Sequence, residues 1–250
     1  MVLRTLAEKF NGIIWKIETD ASSSHIAIET RDAASKAVHF SAFNYATGKT
    51  LIREVTTEHG FWWSLDRIYN NTVFLHGYMS ESSPEHKGII ALDIHTGAIK
   101  WQVFHLSLHD ISEEGLIAYN PLLQLKKLQL LDFETGEYIN SPDKHYLPVT
   151  RNIVFPDIVN GTSPLPAFIP ENIAGPLFYT KISEKECWSF HMQEGGSFSQ
   201  VLLISSGAEI LQEDILASGI QKLNPEAFFI QPDYLFAVKG SNHEIVCYLL

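Results

Sequence analysis

The chain has 250 residues, of which 45% are hydrophobic and 19% are charged, a composition typical of a globular protein and not of a disordered chain. Its 29 acidic and 18 basic residues give a formal net charge of −11. Phosphate contacts dominate the affinity of proteins for nucleic acids, so this charge argues against nucleic-acid binding. It disfavours anionic membrane surfaces for the same reason.

The first residues show no secretory signal, because residues 1–9 contain neither an apolar core nor a small-residue cleavage site. The two cysteines, Cys187 and Cys247, are too few for a disulfide framework. Both lie in strand-like segments, where we expect them to be buried and reduced. These features predict a cytoplasmic location without membrane association.

Three segments of the chain end in nearly the same phrase. In each, an Asp or Asn stands four residues before a Gly, and a Thr stands directly ahead of that Gly; the pairs are Asn44 and Gly48, Asp93 and Gly97, and Asp132 and Gly136. The Asp or Asn side chain accepts a backbone N–H two residues on, and Gly reaches the left-handed conformation without steric cost. The phrase therefore predicts a hairpin loop with a structural role. A weaker copy keeps the turn residue, Gly207.

Repeats spaced by roughly 40–50 residues are typical of four-stranded propeller blades, so we predict an all-β β-propeller in a single domain, residues 1–250. We favour five blades, with four, six or a distorted ring as alternatives. The first three are predicted at about residues 12–55, 61–103 and 106–140, and the fourth holds an irregular insertion at about residues 156–175 and runs to about residue 214. The apolar residues of this insertion predict that it packs against the protein; they are Ile158, Leu165, Phe168 and Ile169.

Several local predictions accompany this partition. Residues 69–79 read as one long inner segment of the second blade. Short strands are predicted in the tail, near residues 220–223, 227–230, 235–238 and 244–250. Residues 2–9 supply the missing outer strand, so that the N- and C-terminal strands pair and close the ring without exposed edges. A helix-like pattern is confined to residues 3–10 and 212–218.

The segment from Asp93 to Trp101, with Gly97 between them, resembles the tryptophan-docking repeat of quinoprotein-like propellers. In that family the Asp, the Thr-Gly pair and the Trp lock neighbouring blades together, which implies the same structural roles here. Ile52 and Asn140 stand where Trp101 stands in the other copies. The resemblance implies a fold and no activity, because the repeat occurs in dehydrogenases and in scaffolding proteins alike. The chain also resembles a small uncharacterised family of propeller-like bacterial proteins.

The sequence contains no nucleophile elbow, phosphate loop, dinucleotide glycine pattern or zinc-protease motif. His105 and His109 share a face of a predicted strand, but four residues of strand separate them by about 13 Å, too far to ligate one ion. His86 reads as part of a solvated loop. We therefore expect no catalytic residue, no metal and no cofactor.

Five-bladed propellers resemble a glycoside-hydrolase architecture in which acids project from inner strands into a central channel. That resemblance implies Glu29, Asp66 and Asp157 as candidate acids. The residues that flank them do not match the motifs of that family.

The richest local cluster lies between the first two predicted blades and contains His59, Trp62, Trp63 and Arg67. Adjacent residues of a strand point to opposite faces, so one Trp faces a ligand while the other packs. A Trp with a nearby His and Arg makes a binding platform for a sugar, a ring or a peptide. The alternative, which the pattern favours, is that both Trp side chains pack between blades.

The leading hypothesis is a non-catalytic intracellular propeller that binds a protein or peptide partner at one mouth of the ring. The alternative is a sensor or hydrolase that acts on a small ligand, such as a carbohydrate, in the central channel. Carboxylates that converge with perturbed pKa values would favour this alternative. A quinone-dependent dehydrogenase is the third hypothesis, although the propellers of that class are larger and exported.

Overall fold

The computed structural model describes residues 1–80, 82–139, 147–159 and 165–250. Within these ranges the regular elements are strands, apart from a short 3-10 helix, η1 (Gly60–Trp62). No helix among them is long and apolar enough to cross a membrane. The chain divides into two compact units, a middle unit (Gly12–Arg151) and a terminal unit (Met1–Asn11 with Asn152–Leu250). A single propeller domain over residues 1–250 stays a prediction.

The first strand, β1 (Leu3–Lys9), belongs to the terminal unit, and the middle unit follows with three antiparallel sheets whose strands are paired in chain order. The first sheet contains β2 (Ile13–Asp20), β3 (His25–Asp32), β4 (Ala37–Asn44) and β5 (Lys49–Val55). The second contains β6 (Trp63–Tyr69), β7 (Thr72–Ser80), β8 (Ser83–Asp93) and β9 (Ile99–Val103). The third contains β10 (Ser107–Ile111), β11 (Leu116–Tyr119) and β12 (Leu128–Leu131).

The terminal unit contains two further antiparallel sheets. One has five strands, β13 (Asp157–Ile158), β14 (Ile173–Ile182), β15 (Lys185–Glu194), β16 (Ser197–Ser206) and β17 (Glu209–Ile220). The other is formed by β18 (Phe229–Gln231), β19 (Tyr234–Lys239) and β20 (Glu244–Leu249), with β1 added beside β20.

These five sheets confirm the predicted all-β fold of antiparallel propeller blades. The predicted pairing of the terminal strands is also confirmed, because β1 and β20 form a ladder that runs from Leu3 opposite Leu249 to Lys9 opposite Glu244. In the third sheet, Tyr138 meets β12 only through an isolated bridge. The predicted end of that blade, Asn140, lies outside the described residues.

Three local predictions are wrong. Residues 69–79 are not one segment, because Asn70 and Asn71 have positive φ angles of 47° and 57° and turn the chain between β6 and β7. The helix-like residues 3–10 and 212–218 lie in β1 and β17, where ladder pairing with β20 and β16 overrides the local pattern. The strand predicted at residues 220–223 is absent, since β17 ends at its first residue.

The predicted insertion contributes to the five-stranded sheet through β13. Ile169 is buried, and Phe168 packs against the apolar cluster around Trp188. In contrast, Ile158 and Leu165 remain 51% and 42% exposed. The described part of the insertion therefore packs through its second half, and residues 160–164 lie outside the described residues.

The repeated phrase forms a tight loop held by its first side chain. Asp93 Oδ1 accepts hydrogen bonds from the backbone N–H groups of His95 (3.0 Å) and Thr96 (2.8 Å) and from Thr96 Oγ1 (2.9 Å). Gly97 closes the loop with φ of 72° and donates its N–H to the Asp93 carbonyl. Asp132 accepts the same three hydrogen bonds, and Asn44 Oδ1 accepts those from the Thr47 N–H and hydroxyl group. The turn residues Gly48, Gly136 and Gly207 also have positive φ.

Trp101 joins the second sheet to the third. Its indole Nε1 donates a hydrogen bond of 2.9 Å to the carbonyl of Phe133, within the next copy of the phrase. A Cβ added to Gly136 would lie 2.6 Å from the indole ring, so only Gly allows the ring this close. At the preceding junction Val55 and Ile52 take the corresponding place beneath Gly97. At both junctions, a side chain of one sheet therefore packs against the turn glycine of the next sheet: an aromatic ring at Gly136 and aliphatic groups at Gly97.

Candidate functional site

An open cleft of about 490 Å³ lies on the surface of the middle unit. Aromatic and aliphatic side chains dominate its lining, and serines form one rim. The lining residues are Ile13, Trp15, Arg31, Ala33, Phe61, Trp62, Tyr78, Ser80, Ser82, Ser83 and Pro84. We call this feature the aromatic cleft.

Strand alternation and a short helix expose the two tryptophans of the aromatic cleft. On β2, Ile13 and Trp15 share the outer face, whereas Ile14 between them is buried. Helix η1 directs Trp62 outward just before the chain enters β6. Trp15 is 62% exposed and Trp62 is 42% exposed. Large apolar side chains that cluster at such exposure mark interaction sites more often than structural ones.

Arg31 is fixed at the base of the aromatic cleft. Its guanidinium lies 5.1 Å from the centroid of the Trp15 ring and 4.8 Å from that of Phe61. Its Nε donates to Glu29 Oε1 at 2.5 Å. The other guanidinium nitrogens approach the carbonyls of Phe61 and Trp63, each at 3.4 Å. The charge of Arg31 is therefore satisfied within the protein before any ligand binds.

The four predicted binding residues lie in different surroundings. Trp62 lines the aromatic cleft, whereas Trp63 is only 9% exposed and packs in the core. The ring of His59 lies 5.2 Å from that of Trp63, and its Nε2 is 3.1 Å from Gln102 Oε1. Arg67 belongs to a polar network on the first strands of the first two sheets. The four residues therefore do not form one site.

This polar network centres on Glu18, a buried carboxylate that the sequence analysis did not single out. Three cations surround it: Arg151 Nη1 lies at 3.1 Å, Arg67 Nη1 at 3.5 Å and Lys16 Nζ at 3.6 Å. Burial raises the pKa of Glu18 even though the three cations act to lower it. The sequence signal for this network is that Lys16 and Glu18 stand two residues apart and therefore share one face of β2.

Asp66 lies beside Glu18, since Arg67 Nη1 is also 3.6 Å from Asp66 Oδ1. Burial acts to raise the pKa of Asp66, but the contact with His76 and the charges of Lys16 and Arg67 outweigh it and lower the pKa. The two neighbouring carboxylates therefore have pKa values shifted in opposite directions.

The other two candidate acids differ from Asp66. Glu29 is fully buried, and its Oε2 accepts hydrogen bonds from Ser64 Oγ (2.6 Å) and the Leu65 N–H (2.7 Å). These contacts and the Arg31 ion pair occupy the carboxylate, which leaves it a structural role. Asp157 is an exposed residue of β13 in the terminal unit.

Two histidines stack behind Asp66. His76 Nδ1 is 3.2 Å from Asp66 Oδ2, and the ring of His76 lies parallel to that of His86, with centroids 3.4 Å apart. Tyr78, which lines the aromatic cleft, packs edge-on against both rings. The prediction that His86 lies in a solvated loop is wrong, because it is a half-buried residue of β8.

His105 and His109 have separate partners. His105 Nε2 contacts Tyr138 Oη at 3.3 Å, and His109 Nδ1 contacts Lys126 Nζ at 3.1 Å. The two cysteines are buried and unpaired, as predicted. Burial raises the pKa of each thiol to about 12, so neither is a reactive nucleophile at neutral pH.

Comparison with known proteins gives one family match, to a domain of unknown function (DUF4905), over residues 19–101. This span covers less than half of the chain and includes Asp66, His76 and His86. No curated protein matches.

Similar solved structures include an endo-arabinase from Bacteroides thetaiotaomicron, with 14% identity, a TM-score of 0.29 and coverage of 99% of this chain and 94% of that one. Another is a GH43 endo-arabinanase from Bacillus licheniformis, with 11% identity, a TM-score of 0.31 and coverage of 97% and 95%. A GH43 beta-1,3-galactosidase has 8% identity, a TM-score of 0.25 and coverage of 96% and 60%. Similarity at these TM-scores carries no argument about function.

Proposed function

We propose that this chain is a non-catalytic binding module whose aromatic cleft takes a peptide segment with apolar side chains. One observation carries the proposal: the exposed rings of Trp15 and Trp62 line a single apolar cleft with Arg31 fixed at its base. Exposed tryptophan is enriched at the centre of protein interfaces, because one rigid side chain buries a large apolar area.

The lining favours a peptide over a sugar. A bound sugar must replace the hydrogen bonds that its hydroxyl groups make with water. Among the lining residues that the structure describes, serine hydroxyls serve this purpose, while the one charged side chain, Arg31, is already engaged by Glu29. Aromatic grooves that contain proline and tyrosine, as this one does with Pro84 and Tyr78, suit extended proline-rich or apolar segments.

A second candidate function follows from the polar network. Glu18 and Asp66 are neighbouring carboxylates whose pKa values are shifted in opposite directions, the pattern that separates a general acid from a general base. This observation supports the alternative of a small-ligand sensor or hydrolase, with a carbohydrate as the ligand. Glu18 would hold the proton and Asp66 the negative charge.

The experiment that tests the leading proposal is selection of binders from a displayed library of random peptides, followed by affinity measurement. We expect the selected peptides to share apolar side chains, and Trp62→Ala to weaken their binding by about 2 kcal/mol, or roughly thirtyfold. Leu125→Ala is the matched control, because Leu125 is 85% exposed and lies outside the cleft. It should bind the peptides as the unmodified protein does.

Two results would contradict the proposal. One is a peptide set whose binding is unchanged in both Trp15→Ala and Trp62→Ala. The other is retention of oligosaccharides that Glu18→Gln abolishes while Trp62→Ala leaves it intact, which would favour the polar network as the functional site.

Two finer assignments are proposals as well. We propose that the repeated phrases belong to the tryptophan-docking repeat of quinoprotein-like propellers; the hydrogen bond from Trp101 to the Phe133 carbonyl supports this. We also propose a cytoplasmic location, which the buried and unpaired state of Cys187 and Cys247 supports because reducing compartments keep thiols unpaired.

A further inference from the structure

We propose that Asp66, His76 and His86 form a binding site for one divalent transition-metal ion, with Zn²⁺ as the best fit. Among the residues that the structure describes, these three offer ligand atoms that all lie within 4.8 Å of one another. The inference concerns different residues from the peptide proposal and is independent of it.

The contact between Asp66 and His76 is slightly shorter than the separation of two ligands that share one ion. Zinc bonds of about 2.0–2.2 Å at tetrahedral angles place two ligand atoms about 3.3–3.6 Å apart. Asp66 Oδ2 and His76 Nδ1 are 3.2 Å apart, yet this contact lacks the alignment of a hydrogen bond. An ion placed between the two atoms accounts for both facts.

His76 supplies a second, independent observation. Its side chain is only 2% exposed; its Nε2 has no hydrogen-bond partner, and its Nδ1 has only the ion-pair contact with Asp66. Buried polar groups are almost always paired, and an unpaired one points to an ion or water at the site. A metal ion would satisfy one ring nitrogen of His76 directly.

The stacked histidine pair also fits a metal site. The rings of His76 and His86 lie parallel with centroids 3.4 Å apart, so both imidazole groups are held together at the cluster. His86 is only half-buried and can adjust its ring towards the ion.

The charges around Asp66 leave one of its oxygens for the metal. Arg67 Nη1 is 3.6 Å from Oδ1, whereas Oδ2 faces His76. Lys16 Nζ approaches the backbone carbonyl of Asp66 at 3.4 Å. Glu18 lies within 3.6 Å of both cations and offsets their charge.

The ligand set indicates the type of metal. Two imidazole nitrogens and one carboxylate oxygen suit Zn²⁺ and related transition metals, whereas Ca²⁺ and Mg²⁺ prefer oxygen ligands throughout. Three protein ligands also leave a fourth position open to water or to a bound group.

The test uses untagged full-length protein that has been treated with a chelator and then titrated with Zn²⁺, with bound metal measured by mass spectrometry. We expect one Zn²⁺ for each chain. His86→Ala should weaken binding by more than the roughly 10–100-fold that loss of an outer-shell partner costs. His109→Ala is the control, because it removes an exposed histidine outside the cluster, and it should bind Zn²⁺ unchanged.

Two further measurements keep the proposal open to refutation if one variant folds poorly. Asp66→Asn should weaken Zn²⁺ binding as His86→Ala does, while circular dichroism reports whether each variant is folded. Added Co²⁺ should give the visible absorption of a low-coordinate site, and excess Zn²⁺ should remove it. Failure of the folded protein to retain one Zn²⁺, or equal affinity in His86→Ala and His109→Ala, would overturn the proposal.

Discussion

The junction between the first two sheets of the middle unit, the polar junction, contains a buried carboxylate, whereas the junction between the second and third sheets, the dry junction, is packed by apolar side chains around Trp101. At the polar junction a fully buried carboxylate, Glu29, connects Ser64 and Leu65 to Arg31. At the dry junction Trp101 packs against Phe74 and donates its single N–H to a backbone carbonyl.

The two junctions show that contacts between neighbouring sheets can serve two different purposes. The dry junction holds two sheets together around Trp101, and its ion pair between Lys100 and Glu134 includes an exposed carboxylate. The polar junction also holds two sheets, and both the aromatic cleft and the Asp66–His76–His86 cluster adjoin it. The ion pair of Arg31 with Glu29 anchors the cleft, and the Ser64 contact ties that pair to β6. The candidate functional groups, in the cleft and in the histidine cluster, therefore lie beside the junction that contains the buried carboxylate.

The largest expected effect comes from breaking the polar junction. Glu29→Ala leaves Arg31 unpaired and removes the acceptor of Ser64 and the Leu65 N–H, and we expect a loss of about 3–5 kcal/mol in the free energy of unfolding. Trp101→Phe removes the indole N–H and part of the ring from the dry junction and should cost about 1–3 kcal/mol. Urea denaturation measures both.

A control for these two variants is Glu134→Ala. Glu134 pairs with Lys100, but its side chain is 62% exposed, so we expect a loss of no more than about 1 kcal/mol. A smaller loss for Glu29→Ala than for Trp101→Phe would show that the buried carboxylate does not hold the junction.

The next prediction compares the turn glycines beneath the two junctions. A Cβ at Gly136 would lie 2.6 Å from the rigid Trp101 ring, and a Cβ at Gly97 would lie 2.8 Å from a Val55 methyl group. Both residues have positive φ, which costs about 1–2 kcal/mol for Ala, and overpacking adds about 1–3 kcal/mol. We expect Gly136→Ala to cost more than Gly97→Ala in thermal or urea unfolding.

Gly207→Ala isolates the backbone contribution to this comparison. Gly207 has φ of 58°, and nothing lies within 4 Å of the added Cβ, so only the cost of about 1–2 kcal/mol for the left-handed conformation applies. If all three alanine variants lose the same stability, the close approach of Trp101 to Gly136 has no energetic consequence.

The smallest expected effect is a pH dependence that arises from the histidine stack. Burial, and then the neighbouring His76, lower the pKa of His86 below its ordinary value of about 6.5, although Asp66 opposes the shift. In the metal-free protein, the unfolded chain therefore binds this proton more readily than the folded chain. The stabilising contribution is complete above pH 6.5 and is lost as the pH falls towards the folded pKa.

We therefore expect His86→Gln, measured with a chelator present, to lose less stability between pH 7.5 and pH 5 than the unmodified protein. His109→Gln serves as the comparison. Burial and Lys126 also lower the pKa of His109, so this variant reports the acid sensitivity that comes from a histidine outside the stack. Identical pH profiles for His86→Gln and the unmodified protein would show that the stack does not contribute to acid sensitivity.

Local chemistry explains why much of the fold was predictable. Each Asp or Asn of the repeated phrase bonds to groups within three residues, so its loop is encoded without reference to the rest of the chain. The alternation along β2 similarly follows from the pleat. The turn at Asn70 and Asn71 is also encoded locally, by two adjacent Asn residues, although the sequence analysis predicts one segment across them.

The candidate site was less predictable, because it depends on residues distant in sequence. His76 and His86 are brought together by the hairpin of β7 and β8, and Asp66 joins them from β6. Trp15 of β2 and Trp62 of η1 likewise line one cleft although they are distant in sequence. Proximity in sequence grouped His59, Trp62, Trp63 and Arg67, whereas the structure gives them different surroundings.

The sequence by itself determined the strand content, the hairpin loops and the positions of the turn glycines, because these depend on the conformations and hydrogen bonds of neighbouring residues. Tertiary structure decided that residues 212–218 are a strand and settled residues 3–9, whose local pattern also suits a helix, as a strand, since their ladders pair with distant segments. It also decided which ionisable groups meet at the polar junction, because burial and charge act through space and not along the chain.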